Sequence, residues 1–236
     1  MTSVLVVHSG RLDPVENMAL DEAALLAPDA RLRIYGWSPA GLSLGYFQRY
    51  ADFADEPGEH VVVRRATGGG AILHDDEITF ALTGPAELLP RDLGASYDLV
   101  HDAIRTTLAR FGVTTRRHGR GPASCRPDER WCFAKPTCHD LTTPRGKIVG
   151  SAQRRTGGSS PRFLHHGSIF LRPPSWPATS GSVAEFVDPD VVRDELEHEL
   201  ATAIVRALGC DAATGAEPPD DIETARDAVR ARLRRR

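Results

Sequence analysis

The chain has 236 residues, of which 41% are hydrophobic and 26% charged, and its formal net charge is −3. This length fits one large domain, with or without a small appendage, and allows a substantial hydrophobic core. The nearly balanced charge disfavours a dedicated nucleic-acid-binding protein, because such domains usually carry a basic surface. Two basic clusters, at residues 116–120 and 232–236, are interpreted as solvated surface, with contact to an acidic protein partner as the alternative.

Neither export nor membrane insertion is expected. No apolar run approaches the roughly 20 residues that a membrane helix needs, and the first residues lack the charged segment and cleavage site of a secretory signal. We therefore expect a cytoplasmic protein without membrane association. The four cysteines are too few to crosslink a chain of this size, so free thiols are expected.

Three of the cysteines, Cys125, Cys132 and Cys138, lie close together and are followed by His139. A zinc site is the first hypothesis to weigh. The gaps of six and five residues between these cysteines exceed those typical of structural zinc ligands, which usually lie about two to four residues apart. No metal site is predicted.

Helices and strands alternate along the first half of the chain. An apolar stripe predicts a helix over residues 17–26, which Pro28 ends. Strands are predicted at residues 31–35 and 42–46, around a turn at 36–41, and then at 61–65 and 78–82. Apolar residues spaced three or four apart predict a second helix over residues 96–111, which ends at Gly112.

The second half begins with a polar segment at residues 114–130, which is rich in Arg, Gly and Pro and predicts a long functional loop. Strands follow at residues 140–141, 147–153 and 163–171, the first two joined by a turn at 143–146, and then a helix at 191–208. Residues 218–236 predict a short charged helix packed at the edge, or a frayed tail. The mixture of elements predicts an α+β fold.

The most informative motif is a predicted strand that leads through Arg64 and Arg65 into three glycines, Gly68, Gly69 and Gly70. Consecutive glycines let backbone N–H groups approach a ligand closely, and the arginines add fixed positive charge beside them. The arrangement suits an acyl or phosphate ligand, and a simple hairpin turn is the alternative. It is not the phosphate loop of nucleotide hydrolases, because no Gly-Lys-Ser/Thr follows.

Two further motifs carry polar side chains on predicted strands. Lys147 is followed by Gly150 and alternates in facing direction with Ile148, so its ammonium can enter a pocket. A solvent-facing turn lysine is the alternative, because lysines are rarely buried. His165 and His166 form the third motif, for which a histidine satisfied by a backbone carbonyl is the alternative.

These motifs and their order resemble the lipoate and biotin protein ligase superfamily. They read Arg-Arg-x-Thr-Gly-Gly-Gly at residues 64–70, Lys-Ile-x-Gly-Ser-Ala-Gln at 147–153 and His-His-Gly-Ser at 165–168. The resemblance spans about residues 17–171 and is specific to the branch that handles octanoate or lipoate. It implies a curved mixed β-sheet flanked by helices, as in the class II synthetase-like catalytic domains of biotin and lipoate ligases.

The resemblance also implies a function. It indicates a narrow apolar tunnel for a medium-length acyl chain, closed by the triple-glycine loop. The product would be an amide between the acyl group and a lysine of a lipoyl domain, on a 2-oxoacid dehydrogenase subunit or on the glycine cleavage H protein. We predict a catalytic domain over residues 1–215 and the charged helix or tail over 216–236.

Two routes to this product exist in the superfamily. Ligases activate free lipoate with ATP, whereas octanoyltransferases take octanoate from acyl carrier protein through a cysteine thioester. The segment Arg130-Trp131-Cys132-Phe133-Ala134-Lys135-Pro136 is similar to the Cys-Phe-x-x-Pro segment of the cysteine-lysine octanoyltransferases. We predict Cys132 as the nucleophile and Lys147 as the group that stabilises its thiolate and later accepts the amine proton. Backbone N–H groups near Gly69 and Gly70 are expected to stabilise the oxyanion.

Acyl and substrate contacts are predicted for the residues of the three motifs: Arg64, Arg65, Thr67, Gly68, Gly69, Gly70, His74, Gly150, Ser151, Ala152, Gln153, His166 and Gly167. The transferase reaction requires no cofactor beyond its thioester donor. The alternatives are an ATP- and Mg-dependent lipoate ligase and a non-catalytic module that binds lipoyl domains. For Cys132 itself the alternative is a buried core residue.

Cys138 is the reserve nucleophile, although adjacent strand residues face opposite sides and would not pair it with His139. The octanoyltransferases usually carry an aromatic pair before their acidic residue. This chain has Thr137-Cys138-His139-Asp140 instead, so the shape of the cavity mouth is expected to differ.

Overall fold

The computed structural model describes residues 2–53, 60–119, 130–174, 180–216 and 222–234, so Cys125 and most of the predicted polar loop lie outside the described residues. The strands are β1 (Ser3–Leu12), β2 (Ala30–Trp37), β3 (Gly41–Leu44), β4 (Val61–Arg64), β5 (Ile72–His74), β6 (Glu77–Pro85), β7 (Arg116–Arg117), β8 (Leu141–Thr143), β9 (Gly146–Arg155), β10 (Arg162–Phe170) and β11 (Asp211–Thr214). The α-helices are α1 (Pro14–Leu26), α2 (Leu93–Arg110), α3 (Pro189–Ala207) and α4 (Ile222–Arg234). The predicted helices are confirmed, whereas β1, β5, β7 and β11 were not predicted; β7 lies at the start of the segment that was predicted as a polar loop and pairs with β8.

Local sequence signals set the helix ends. Asp13 begins α1 three residues earlier than predicted, because its carboxylate accepts a hydrogen bond from the N–H of Val15 at 2.8 Å and Pro14 occupies the first helical position. Asp92 caps α2 in the same way through the N–H of Ala95 at 2.7 Å. Gly112 follows that helix with a φ of 77°.

The strands form two sheets. The larger has the order β11-β1-β2-β6-β10-β9-β8-β7, with parallel pairing from β11 to β2 and antiparallel pairing beyond. The smaller has the order β4-β3-β5. The triple glycine connects β4 to β5, which lie on opposite sides of β3, so the hairpin interpretation of this motif is wrong. The α+β prediction, with a mixed sheet flanked by helices, is confirmed.

Each face of the larger sheet is covered by helices. On one face α2 and α3 pack against β2 and β6, and their contact buries Leu32, Phe80, Ile104 and Leu200 almost completely. Burying each such side chain contributes about 1.5–3 kcal/mol, which makes this layer the main core. On the other face α1 packs against Tyr35, Trp37, Ala81 and Leu164.

The C-terminal charged segment forms α4, which packs on α1. Val229 is buried in the α1 cluster, Arg226 pairs with Glu16, and Arg232 pairs with Glu22. In the other basic cluster Arg117 pairs with Asp98 and with Asp102. Arg117 and Arg232, one from each basic cluster, therefore form ion pairs within the chain. Within the part of the chain that the structure describes, no helix is both long and apolar enough to cross a membrane.

Candidate active site

A cavity of about 390 Å³ is lined by residues of both sheets, of α1 and α2, and of the connecting loops. Its apolar wall includes Met18, Trp37, Ile72 and Tyr97. The volume lies within the range typical of small-molecule sites. Of the predicted site residues, the ones that line it are Cys132, Lys147, Arg65, Gly68, Gly69, His74, Gly150, Ser151, Ala152, Gln153, His166 and Gly167.

Cys132, Lys147 and Asp140 form a thiol–ammonium–carboxylate group in the cavity wall. The Lys147 Nζ lies 3.4 Å from the Cys132 Sγ and 2.9 Å from the Asp140 Oδ2. Lys147 and Asp140 are buried, with only 1% and 3% of their surface exposed, so each charge requires the other as partner. The solvent-facing interpretation of Lys147 is therefore wrong.

The geometry of β9 and the absence of a side chain at Gly150 position the Lys147 ammonium. Lys147 follows the tight β8–β9 turn, whose Gly146 has a φ of 143°, and the next residue, Ile148, faces the core. A Cβ at Gly150 would lie 2.2 Å from the Lys147 Cε and 2.5 Å from its Nζ, so any larger residue there would displace the ammonium. The glycine at position 150 therefore leaves the space that the Lys147 ammonium occupies.

Cys132 is held against the end of the triple-glycine loop. Its N–H donates to the carbonyl of Ala71 at 3.0 Å, and the Ala71 N–H donates to the carbonyl of Arg130 at 2.9 Å. The half-buried side chain packs against Ile72 and Phe133 while also lining the cavity. Cys132 is therefore anchored by its backbone beside the loop, with its sulfur available to a ligand and to Lys147.

The triple-glycine loop is shaped by Arg65. The two terminal nitrogens of this guanidinium donate to the carbonyls of Gly68 at 2.9 Å, Gly70 at 2.7 Å and Ser43 at 3.1 Å. Gly69 has a φ of 96°, which favours glycine. A Cβ at Gly45 would lie 1.9 Å from the Gly69 carbonyl oxygen, so the loop packs directly on that backbone.

Arg64, Thr67 and Gly70 are the predicted site residues outside the cavity lining. Arg64 is 1% exposed, and its guanidinium donates to the carbonyls of Gly45 at 3.2 Å and Tyr46 at 3.4 Å. It therefore braces the neighbouring turn, and any effect on a ligand passes through the backbone. Thr67 bonds to a histidine instead, as described next.

His166 belongs to a buried polar network on α1, β2 and β10. Its Nε2 is 2.6 Å from the Thr67 Oγ1, and its Nδ1 is 3.0 Å from the Asp21 Oδ2. Asp21 also accepts from the Tyr35 hydroxyl at 2.9 Å and from the Arg33 guanidinium at 2.6 Å. Burial, together with the Asp21 charge, raises the pKa of Tyr35 well above its usual value, so the phenol remains a donor.

His74 is held in the cavity wall by three contacts. Its Nδ1 lies 2.9 Å from the Glu77 Oε1, and its Nε2 lies 2.7 Å from the Ser43 Oγ. Its ring stacks on Trp37, with ring centroids 3.8 Å apart. The imidazole therefore presents a flat, fixed surface to the cavity.

Two further buried histidines, His101 of α2 and His165 of β10, share the hydroxyl of Ser151. Their Nε2 atoms lie 2.7 Å and 2.9 Å from the Ser151 Oγ. Burial lowers the pKa of His101 and lowers that of His165 well below its usual value. The ring nitrogens of His165 and His166 bond to side chains, so the carbonyl interpretation of these two residues is wrong.

Acidification is expected to destabilise the fold through His101 and His165. Below the ordinary histidine pKa of 6.5, the unfolded chain binds protons that the folded chain does not. The free energy of unfolding is therefore fully retained above that pH and falls as the pH drops toward the lower folded-state values, by up to about 1.4 kcal/mol per histidine at about pH 5.5. Thermal unfolding at about pH 5.5 and 7.5 measures this difference. The variant His101→Asn should reduce it and His118→Asn, at an exposed site, should not; equal pH dependence in both variants would contradict the assignment.

Several residues in or beside the cavity lining were not predicted as site residues, and most of them carry only a weak sequence signal. Asp140 is a single carboxylate next to a short strand, and nothing local marks its pairing with Lys147. His101 carried a usable signal, because it is a polar residue at a buried position of α2 beside Val100. Tyr97 and His139 stack with centroids 5.5 Å apart, although they lie far apart in the sequence.

Cys138 and Cys210 are the other two cysteines that the structure describes. Cys132, Cys138 and Cys210 are free thiols, as predicted, and Cys138 lines the same cavity as Cys132. Among the residues that the structure describes, no group of three or more His, Cys, Asp or Glu side chains is arranged to hold a metal ion.

The chain is similar to proteins of known families. Residues 13–186 match the sequence model of the lipoyl protein ligase A/B catalytic domain. Octanoyltransferase LipM of Moorella thermoacetica is 37% identical over 179 residues, which cover 70% of this chain and 64% of that protein. Octanoyltransferase LipM of Kyrpidia tusciae is 29% identical over 257 residues, which cover 93% of this chain and 92% of that protein. The chain thus spans just under two thirds of the first relative and nearly all of the second.

Solved structures share the fold. A putative lipoate protein ligase from Thermoplasma acidophilum, with bound lipoic acid, superimposes with a TM-score of 0.70 at 21% identity, covering 96% of this chain and 93% of that one. A lipoate-protein ligase A bound with ATP gives a TM-score of 0.69 at 21% identity, with the same coverage of both chains. Since its sequence model matches most of the chain, this protein belongs to the lipoyl protein ligase A/B catalytic domain family.

Proposed function

We propose that this protein is an octanoyltransferase, which moves an octanoyl group from acyl carrier protein to a lysine of a lipoyl domain through a thioester on Cys132. The observation that carries the proposal is the contact of 3.4 Å between the Lys147 Nζ and the Cys132 Sγ inside the cavity. A thiolate is required for thioester exchange but not for adenylation. The similarity to proteins named octanoyltransferase LipM supports the same conclusion.

The first half-reaction loads Cys132. Its thiolate, stabilised by the adjacent ammonium of Lys147, attacks the carbonyl carbon of the octanoyl thioester. The bond from this carbon to the sulfur of the carrier breaks, the Lys147 ammonium gives one proton to that sulfur, and the carrier leaves as the free thiol. Backbone N–H groups of the triple-glycine loop, which lines the cavity at Gly68 and Gly69, are the proposed donors to the oxyanion.

The second half-reaction releases the acyl group to the acceptor. The neutral amine of the lipoyl-domain lysine attacks the carbonyl carbon of the Cys132 thioester, a C–N bond forms, and the C–S bond breaks. The neutral amine of Lys147 accepts one proton from the attacking nitrogen, which restores the Lys147 ammonium beside the Cys132 thiolate. The net products are an octanoyl-lysine amide and the free carrier thiol, so the atoms balance without ATP.

Residues around Cys132 suit an acyl chain. Ile72, Phe133 and Phe170 form an apolar cluster against its side chain, and Ile72, Trp37 and Met18 continue an apolar wall inside the cavity. Burial of each methylene of an acyl chain contributes about 0.8 kcal/mol. The acceptor is proposed to be a lipoyl domain of a 2-oxoacid dehydrogenase subunit or the glycine cleavage H protein, and no metal or nucleotide takes part.

A mass-spectrometric assay tests this function. The protein is incubated with octanoyl acyl carrier protein and an apo lipoyl domain, without ATP, and the masses of both proteins are followed. We expect a thioester on Cys132 and an octanoylated lysine on the acceptor. Acylation of the acceptor only with ATP, Mg and free lipoate would show a ligase, and tight acceptor binding without acylation under either condition would show a binding module. Either result would overturn the proposal.

A further inference from the structure

A chain of hydrogen bonds crosses the cavity wall and has a single consistent direction. It begins at Arg155, whose terminal nitrogens donate to the carbonyls of Pro90 at 2.7 Å and Arg91 at 2.9 Å. Its Nε donates to the Gln153 Oε1 at 2.7 Å. Because only the oxygen of an amide accepts, this contact fixes the orientation of Gln153 and turns its NH₂ group toward His165.

The next contacts fix both histidine tautomers. The Gln153 Nε2 lies 3.2 Å from the His165 Nδ1, which must accept, so the proton of neutral His165 is on Nε2. At the other end, the His101 Nδ1 lies 2.6 Å from the carbonyl oxygen of His139, which can only accept. His101 therefore carries its proton on Nδ1 and presents a lone pair at Nε2. Burial lowers the pKa of both rings and keeps both neutral.

Ser151 lies between the two rings, and its hydroxyl has only one possible orientation. It donates its proton to the His101 Nε2 and accepts the proton of the His165 Nε2. Ser151 also lines the cavity. A hydroxyl oxygen has two lone pairs, and among the described residues only His165 donates to it. Toward the cavity Ser151 thus offers an acceptor and no donor.

This chain runs alongside the thiol–ammonium–carboxylate group. Ser151 directly follows Gly150, against whose Cα the Lys147 ammonium packs. The carbonyl that ends the chain belongs to His139, which directly precedes Asp140. The hydrogen-bond chain is therefore joined by one peptide link to Asp140 and by another to Gly150, on which the Lys147 ammonium packs.

The orientation of the Ser151 hydroxyl determines how it can bind an amine nucleophile. A hydroxyl that is free to rotate can donate to the lone pair of an amine and block its attack. A hydroxyl that can only accept leaves the lone pair free, binds an N–H of the amine, and binds it more strongly as positive charge develops on nitrogen.

We propose that Ser151 binds the attacking lysine amine of the acceptor as an N–H acceptor, and that Gln153, His165 and His101 position it for this role. The inference rests on the proposed transferase function and adds the residue that orients the nucleophile of the second half-reaction. Ser151 has no role in loading Cys132. A change at Ser151 should therefore slow only the second half-reaction, whereas a change at Cys132 or Lys147 should affect both.

A single-turnover experiment tests the inference. The protein is loaded with octanoyl acyl carrier protein, separated from it, and mixed with apo lipoyl domain. We expect Ser151→Ala to load Cys132 at the wild-type rate but to transfer the acyl group about 10- to 100-fold more slowly, the scale of one hydrogen bond to a developing charge. Ser151→Thr, which keeps the hydroxyl, should recover most of the transfer rate.

Hydroxylamine provides the matched control, because this small nucleophile needs no positioned acceptor lysine. It should cleave the thioester of wild type and of Ser151→Ala at equal rates. Loss of loading and transfer to the same degree in Ser151→Ala, or wild-type transfer by this variant, would overturn the inference. If Ser151→Ala shows no cooperative thermal transition, His101→Phe carries the same test and should slow transfer alone. Absence of loading in the wild-type protein would instead remove the proposed function, and the inference with it.

Discussion

Replacing Cys132 with alanine is expected to abolish octanoyl transfer and the covalent intermediate together. The variant removes the sulfur that lies 3.4 Å from the Lys147 Nζ while leaving the backbone contact of Cys132 to Ala71 in place. The expected loss in kcat is on the order of 10⁴-fold or more, the scale observed when a member of a catalytic unit is removed. The measurement is the steady-state rate of acceptor octanoylation, combined with the intact mass of the enzyme after incubation with the donor. Cys132→Ser should show a comparable loss, because a hydroxyl beside an ammonium is far less ionised than a thiol.

Two other cysteines provide controls for this experiment. Cys210 lies outside the cavity lining and is partly buried next to the helix α3, so Cys210→Ser should retain the wild-type rate. Cys138 lines the cavity and is the reserve nucleophile, so Cys138→Ser is the more demanding comparison. It should retain the Cys132 thioester. A covalent adduct that persists in Cys132→Ala and disappears in Cys138→Ser would transfer the nucleophile assignment to Cys138.

The sequence predicted the elements best where a local pattern decides the structure. The helix α2 is marked by its apolar spacing and by Gly112, and Lys147 is marked by its place between glycines on a strand. The strand β11 has no such mark, because Asp211–Thr214 is mostly exposed and its pairing with β1 across the whole chain determines it. β1 was missed although it is apolar, because an apolar N-terminal run alone does not distinguish a strand from other buried segments.

Within the site, the sequence indicated which residues carry the chemistry but not how they are arranged. Arg64 and Arg65 are adjacent and of one type, yet Arg65 lines the cavity and Arg64 holds the Gly45–Gln48 turn from outside it. Arg64 is the last residue of β4 and pairs with Leu44 of β3, whereas Arg65 follows the strand at the start of the glycine loop. This placement depends on contacts that are distant in sequence. The same holds for Asp140 and His101, whose partners Lys147 and Ser151 are brought to them only by the folded sheet.

The second large effect is expected for variants of the buried Lys147–Asp140 pair, in which stability can be regained while activity stays lost. Lys147→Met leaves the Asp140 carboxylate buried without its ammonium, and Asp140→Asn leaves the ammonium without its carboxylate. Each single variant is expected to lose about 3–5 kcal/mol of the free energy of unfolding, because it leaves an uncompensated buried charge. In the double variant both charges are absent, so its loss should be far smaller than the sum of the two single losses.

Octanoyl transfer is not expected to recover with stability, because the thiolate of Cys132 needs the Lys147 ammonium as well as a stable fold. Lys147→Met and the double variant should both lose octanoyl transfer on the order of 10³-fold or more, although the double variant regains stability. Denaturant unfolding and the transfer assay on the same four proteins make the comparison, and Lys135→Met, at an exposed lysine, is the control for removal of a charge near Cys132. Recovery of transfer together with stability in the double variant would show that Lys147 is needed only for the fold. Stability that recovers without activity would identify the ammonium as the group that acts on the thiol.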